Sequence, residues 1–138
     1  MKYLLDTNII SAITRPERYP KLISWMSDQA DDSLFTSTMT LAEVRRGILA
    51  LPQGRKKETL STWFDGPDGL EAMFAGRILP FTSGAAKIWA ELMVGSRAKG
   101  HNRDAVDTII AATALAHDCI VVTANTRDFD DVETLNPT

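Results

Sequence analysis

Cysteine, histidine and long apolar runs are scarce or missing in this chain of 138 residues. A single cysteine, Cys119, cannot form an internal disulfide, and the apolar residues 120–122 beside it predict a buried filler rather than a catalytic thiol. No apolar run approaches the roughly 20 residues that span a bilayer, and the N-terminus lacks the regions of a signal peptide. We therefore expect a soluble, cytoplasmic protein without a membrane partner.

An excess of positive charge is also absent, because 18 acidic residues outweigh 15 basic ones and leave a net charge of −3. This balance argues against a protein that coats nucleic acid through bulk charge. It is compatible with a nuclease, since a site that gathers carboxylates is itself acidic while a few local Arg and Lys residues contact phosphates. The length and the 44% hydrophobic content predict a single domain over residues 1–138.

Short apolar runs alternate with helical patterns along the chain, which is typical of an α/β fold around a parallel sheet. The runs predict strands at residues 3–5, 33–37, 77–81 and 119–123, with an edge strand at 132–135. The helical patterns cover residues 9–13, 20–30, 40–51, 56–64, 70–75, 83–99 and 104–117, and a helical turn follows at 126–129. The sequence therefore predicts a central, mainly parallel sheet of four to five strands.

Two features between the second and third predicted strands refine this picture. Thr40 and Glu43 have the spacing of a capping box, which predicts that a helix begins at Thr40. Proline- and glycine-containing turns at 52–54 and 66–69 then separate two helical pieces, which predicts a helical hairpin standing out from the sheet. Its large apolar side chains either pack onto the body or contribute to a subunit interface: Trp63, Phe64, Met73 and Phe74.

Four carboxylates fall where a parallel sheet would bring them together. Asp6 directly follows the first predicted strand, at the edge where ligands bind in open α/β sheets, although it suits a helix cap equally well. Glu43 lies at the start of the helix after the second strand, and Asp128 follows the fourth strand. Asp107 opens an alanine-rich helix that runs back into the fourth strand. We expect the four to converge on one edge.

Such a cluster requires a counterion, since like charges 4 Å apart repel by roughly 4 kcal/mol at an effective dielectric of 20. Oxygen ligands without a His or Cys cluster favour Mg²⁺, for which Mn²⁺ can substitute, over zinc. With no nucleophilic triad, the indicated chemistry is phosphodiester hydrolysis by a metal-activated water. We take Asp6 and Asp107 as primary ligands. Glu43 and Asp128 would hold a second metal, position waters or accept the proton of the attacking water.

Further polar residues flank these acids. Some are candidates to orient carboxylates or waters, although turns and helix caps explain them equally well: Thr7, Asn8, Thr123 and Asn125. The basic residues nearest to the acids in sequence are candidate phosphate contacts or solvated surface charges: Arg45, Arg46, Lys99, Arg103 and Arg127. His101 in a polar loop and His117 near a helix end are not expected to bind metal.

Four segments together resemble the PIN-domain ribonucleases, and within them the VapC-type toxins of type II toxin–antitoxin systems. The matching segments are residues 5–8, 40–47, 107–114 and 122–129, whose order and spacing agree from end to end. The resemblance implies a three-layer α/β/α fold, Mg²⁺- or Mn²⁺-dependent endoribonuclease activity on tRNA or rRNA, and a homodimer. It also implies a cognate antitoxin that blocks the acidic pocket, with promoter DNA bound only through that antitoxin.

Carried over by position, the family's invariant acids fall on Asp6, Glu43 and Asp107, and its less regular fourth acid falls on Asp128. Asp104 lies close to the third of these. We assign the ligand to Asp107 because it leads directly into the alanine-rich helix, whereas Asp104 is better placed as the cap of that helix.

Other functions fit parts of the pattern. A PIN-fold nuclease of RNA processing needs the same acids without a toxin role. In a phosphatase with an aspartate nucleophile, Asp6 would attack phosphate, but Asn8 stands where a second aspartate is expected. A catalytically inactive binding module would retain four clustered carboxylates at a cost in stability, which argues against it. Ala124 departs from the family, since many relatives carry a basic residue there, and one phosphate contact is lost.

Overall fold

The computed structural model describes residues 1–100 and 103–138, and five strands pair in the order β3-β2-β1-β4-β5. The strands are β1 (Lys2–Leu5), β2 (Leu34–Ser37), β3 (Ile78–Leu79), β4 (Cys119–Val122) and β5 (Thr134–Leu135). Each of these pairings is parallel. Leu5 pairs with Val122, so the two central strands end side by side at one edge. The predicted parallel sheet is confirmed, and it has five strands.

Seven α-helices connect the strands in the described part of the chain. They are α1 (Thr7–Ile13), α2 (Pro20–Ser27), α3 (Thr38–Leu49), α4 (Arg55–Asp65), α5 (Leu70–Met73), α6 (Ser83–Ala98) and α7 (Ala105–Ala116). A 3₁₀ turn covers Thr126–Phe129, as predicted. α1 begins at Thr7 rather than at residue 9, because the Asp6 carboxylate accepts the Thr7 N–H and caps the helix. α2 ends at Ser27, earlier than the predicted residue 30.

The start of α3 corrects the capping-box prediction. The helix begins at Thr38, and its cap is Ser37, whose hydroxyl accepts the N–H of Thr40 at 3.0 Å. Thr40 is therefore inside the first turn, and Glu43 lies in the second turn rather than the first. Both Ser37 and Thr40 are capping residue types, but Ser37 is the last residue of β2, where the backbone is still extended as a cap requires.

Two apolar cores lie on opposite faces of the sheet, because successive strand residues point to opposite sides. Leu5 and Val122 belong to the core beneath α1 to α5, whereas Leu4 and Val121 belong to the core beneath α7. α6 packs along α7 on this second side, and its Leu92 contacts the same core. The three-layer α/β/α arrangement is confirmed.

The helical pair α4 and α5 packs onto the body of the protein, which is the first of the two alternatives that the sequence left open for its large apolar side chains. Phe64 and Phe74 are buried in the core under α1 to α5, and the half-buried Trp63 packs against the same core. Met73 stays 40% exposed. Burial of large aromatic side chains is worth about 1.5–3 kcal/mol each, which explains why the pair folds inward.

The turn between α7 and β4 sets the direction of α7. Asp118 adopts a left-handed backbone with φ 56°, which aspartate tolerates better than most residues. This tight turn leaves the start of α7 at the edge where β1 and β4 end. None of the helices in the described ranges is long and apolar enough to cross a membrane.

Candidate active site

Asp6 occupies the junction between β1 and α1 and is only 5% exposed. Its Oδ1 accepts the N–H of Thr7 at 2.8 Å. Its Oδ2 accepts the hydroxyl of Thr123 at 2.9 Å and the side-chain amide of Asn8 at 3.3 Å. Asp6 is therefore both the cap of α1 and a buried, fully hydrogen-bonded carboxylate at the edge of the sheet.

Asn8 and Thr123 tie the end of β1 to the loop after β4. The Asn8 amide also donates to Thr123 Oγ1 at 3.2 Å, and its carbonyl oxygen accepts the N–H of Ala124 at 3.1 Å. Thr123 Oγ1 accepts in addition the N–H of Asn125 at 3.0 Å. The structure thus brings Asn8 and Thr123 onto the Asp6 carboxylate, whereas Asn125 reaches Thr123 through its backbone N–H.

Glu43 reaches the same edge from α3. Its Oε1 accepts the hydroxyl of Thr7, the residue that follows Asp6. Because Thr7 donates its backbone N–H to Asp6 and its hydroxyl to Glu43, one residue links two of the predicted acids.

Asp107 lies in the first turn of α7, and its neighbour Asp104 is the cap of that helix. Asp104 Oδ1 accepts the N–H groups of Val106 at 2.9 Å and Asp107 at 3.0 Å, as expected from the sequence. Asp104 is therefore engaged in capping, whereas Asp107 lines the cleft beside it without a capping role.

Burial and mutual repulsion perturb two of the acids. Burial is the main cause that raises the pKa of Asp107 to about 7, and the negative charges of Asp104, Asp6, Asp128 and Glu43 add to it. Burial likewise raises the pKa of Asp6, although its bonds from Thr123 and Thr7 oppose the rise, and Glu43 and Asp128 raise it further. The charges of Glu43 and Asp128 therefore act on both Asp6 and Asp107.

The donor set of this space suits a hard divalent cation, since it consists of carboxylate oxygens and repels itself without one. The side chains are not already drawn into a ligand cage: over residues 1–100 and 103–138, no group of three or more His, Cys, Asp or Glu residues is arranged to hold a metal ion.

An acidic cleft of about 540 Å³ opens on one side of the cluster, at Asp107 and the exposed Asp128. Its remaining charged lining mixes both signs, with acids in excess: Glu91, Lys99, Arg103, Asp104, Arg127, Asp130 and Asp131. Lys99 and Arg127 are exposed there, in positions that suit contact with a phosphate.

Arg103 and Arg45 are engaged within the protein instead. Arg103 forms an ion pair with Asp131 and donates its Nε–H to Thr108 Oγ1 at 3.2 Å, so it joins the start of α7 to the segment after the 3₁₀ turn. Within residues 1–100 and 103–138, its buried Nη2 finds no hydrogen-bond partner.

Arg45 lies 3.6 Å from an Asp65 oxygen and above the Phe64 ring, on the contact between α3 and α4. Arg46 is exposed and lines neither the cleft nor the second groove described below.

The histidine in the described part of the chain, His117, lies apart from the four acids. His117 follows the last turn of α7, at the opposite end of that helix from Asp107. His101 lies outside the described residues.

A second groove, of about 850 Å³, was not found by sequence reasoning. It begins at Thr7 and Glu43 and runs between α1, α3 and α4. Apolar side chains from three helices form much of its lining, and Arg15, Arg55 and Lys56 stand at its rim. The adjacent basic residues at the start of α4 were the visible signal, but their relation to Glu43 depends on how the helices pack.

The protein is an α/β domain with an acidic centre: acids from four segments lie beside the ends of the central strands of its parallel sheet. Comparison with known protein families identifies which family of such domains it belongs to, because the PIN domain model matches residues 3–135. The chain belongs to the PIN domain family, as the sequence motifs predicted.

Full-length relatives support this assignment. The chain is 38% identical over 136 residues to plasmid stability protein StbB of Pseudomonas syringae pv. tomato, covering 97% of this chain and 96% of that protein. With the same coverage, it is 36% identical to toxin FitB of Neisseria gonorrhoeae and 35% identical to VapC ribonuclease Y4jK of Sinorhizobium fredii.

Solved structures agree in fold. The crystal structure of FitAcB from Neisseria gonorrhoeae superposes with a TM-score of 0.88 at 36% identity, covering 98% of this chain and 97% of that one. VapBC2 from Rickettsia felis, bound to a DNA fragment from its promoter, superposes with a TM-score of 0.71 at 26% identity, covering 99% and 98%.

Proposed function

We propose that the chain is a metal-dependent endoribonuclease and the toxin of a toxin–antitoxin pair, acting in the cytoplasm on tRNA or rRNA. The observation that carries the proposal is the placement of four acids from four segments beside the ends of the central strands: Thr7 links Asp6 to Glu43, and Asp107 and Asp128 line the adjoining cleft. PIN-domain membership and the similarity to VapC ribonuclease Y4jK point to the same chemistry.

In this proposal Asp6 and Asp107 hold Mg²⁺ or Mn²⁺, and Glu43 and Asp128 stand on either side of them. A bound ion would supply Lewis-acid activation of water and neutralise charge on the phosphate. Thr7 and Thr123 fix the orientations of Glu43 and Asp6 through their hydroxyl bonds. Glu43 and Asp128 are the carboxylates that would accept the proton of the attacking water.

We also propose that the chain forms a homodimer and binds a cognate antitoxin, with promoter DNA bound only through that partner. The support is that toxin FitB is a full-length relative and that VapBC2 of Rickettsia felis was solved on a promoter fragment. A small upstream gene encoding a DNA-binding protein would distinguish a toxin from a solitary nuclease.

The activity is tested with purified, antitoxin-free protein incubated with total tRNA and rRNA in Mg²⁺, in Mn²⁺ and in a chelator. We expect cleavage in either metal and none in the chelator, with product masses that correspond to 5′-phosphate ends. Absence of cleavage in both metals contradicts the proposal and favours an inactive binding module. Products with 2′,3′-cyclic phosphate would indicate a different mechanism.

The role of Thr123 is tested by Thr123→Val, which removes the hydroxyl donated to Asp6 while nearly preserving volume. Loss of a group that orients a metal ligand costs about 10- to 100-fold in metal affinity. We therefore expect cleavage to need about 10- to 100-fold more Mn²⁺, with much of the rate recovered at saturation, and Thr123→Ser to restore the wild-type titration. Equal Mn²⁺ dependence in all three proteins would show that the bond has no such role.

A further inference from the structure

The groove that begins at Glu43 differs in chemistry from the acidic cleft on the other side of the cluster. Ile10, Val44, Ile48 and Leu60 contribute apolar surface to it, and the half-buried Trp63 lines it from α4. Glu43 belongs both to this groove and to the acid cluster. A ligand lying in the groove would therefore be continuous with the acids.

Three cations stand over this apolar lining. Arg15 follows α1, and Arg55 and Lys56 open α4; all three are exposed. None of them forms an ion pair with a carboxylate in the described ranges, in contrast to Arg45 and Arg103. The rim of the groove is therefore positively charged and available, although the chain as a whole is acidic.

We propose that this groove binds the single-stranded RNA segment that flanks the scissile phosphate, with bases on the apolar lining and phosphates on Arg15, Arg55 and Lys56. Apolar and aromatic surface beside a row of cations is the combination that binds single strands, because unpaired bases stack while the backbone is neutralised. This inference rests on the proposed ribonuclease function and adds where the substrate lies.

The distribution of charge favours the groove, rather than the cleft at Asp107, as the place where the RNA lies. The cleft at Asp107 carries more acids than bases, whereas the groove is lined by three cations and one carboxylate, so a polyanion is attracted more strongly on the Glu43 side. Base-paired RNA cannot present its ring faces to Trp63, so the groove would also select unpaired segments.

The first test measures binding of a fluorescein-labelled, single-stranded 12-nucleotide RNA by anisotropy in a chelator, where cleavage does not interfere. Arg55→Gln/Lys56→Gln should weaken binding about tenfold at 0.1 M salt and reduce the slope of log Kd against log salt by about 1.4. The matched control Lys21→Gln/Lys87→Gln removes the same charge from surfaces that line neither groove, and it should leave both quantities nearly unchanged.

The second test concerns Trp63. RNA should quench the tryptophan fluorescence of the wild type, and Trp63→Phe should remove this quenching while largely retaining affinity, since a ring remains. Trp63→Leu should weaken binding about tenfold through lost stacking. Because Trp63→Phe keeps an aromatic ring against the core, its spectral result does not depend on the leucine variant folding.

The result that overturns the groove assignment is equal RNA affinity in the two double variants, or no RNA binding by the wild type. If the two double variants bind RNA with equal affinity and Arg55→Gln/Lys56→Gln weakens only antitoxin binding, the groove binds the antitoxin instead of RNA. These outcomes are separate from failure of the proposed function, which is absence of RNA cleavage by the wild type in Mn²⁺.

Discussion

Asp107→Asn should lower the rate of RNA cleavage by at least about 100-fold and, at the same time, stabilise the metal-free protein. Loss of a partner that merely orients a ligand already costs about 10- to 100-fold, so loss of a ligand should cost at least the upper end of that range. Asp6→Asn should have a similar effect on cleavage. Initial rates in saturating Mn²⁺ measure both.

The stabilisation by Asp107→Asn follows from the pKa of Asp107, which is raised from 3.8 to about 7 in the folded protein. Between about pH 4 and pH 7 the folded state binds this proton more tightly than the unfolded state, so wild-type stability falls as pH rises through that window. Asparagine carries no such charge. After allowance for solvent screening at this half-buried site, we expect a gain of about 1–2 kcal/mol at pH 8 that disappears near pH 4.

Urea unfolding in a chelator, from pH 4 to pH 8, measures the difference in the free energy of unfolding between Asp107→Asn and the wild type. Added Mn²⁺ should stabilise the wild type more than Asp107→Asn, because binding to the folded state alone raises its stability. Asp32→Asn is the matched control, since exposed Asp32 lies in the turn Asp31–Ser33 and lines neither groove. If Asp107→Asn cleaves RNA at the wild-type rate, Asp107 is not part of the catalytic site.

Phe129→Ala should lower the free energy of unfolding by about 3–5 kcal/mol, the usual cost of truncating a buried phenylalanine. Phe129 is 1% exposed and packs in the core with Leu4, Ile110 and Val121, while the preceding Asp128 is exposed at the acidic cleft. The same side chain therefore anchors the 3₁₀ turn that presents Asp128.

Urea denaturation at pH 7 tests this expectation against Phe81→Ala, which truncates a phenylalanine that is 39% exposed. The control should change stability by less, because a ring that is already 39% exposed loses less burial and leaves its gap open to solvent. Similar losses in the two variants would show that Phe129 does not hold the turn in place by packing.

Local sequence was sufficient for the features whose causes lie within a few residues. β4 is a continuous apolar run, as expected of a strand buried on both faces, and β1 ends in two buried leucines. Asp104 caps α7 through N–H groups two and three residues away, so its role separates from that of Asp107 without knowledge of the fold. The cap of α3 shows where local sequence is insufficient. Ser37 and Thr40 are both capping residue types, and only the position at which β2 ends determines that Ser37 is the cap.

The arrangement around the acids required the tertiary structure, because its contacts join segments that are distant in the chain. Thr7 meets Glu43 only when α1 packs beside α3, and Arg103 meets Asp131 only when the segment after β4 returns to α7. The three cations of the groove likewise come from the segment after α1 and from α4, which no spacing rule connects.

The sequence by itself determined the family, the parallel sheet and which four carboxylates to consider, because those follow from motifs and from apolar patterning. Only the tertiary structure decided which partners surround each acid, that Asp6 is at once a cap and part of the cluster, and that a basic groove opens at Glu43. The reason is physical: side-chain hydrogen bonds, burial and repulsion depend on distances in space, and these are set by the packing of helices against the sheet.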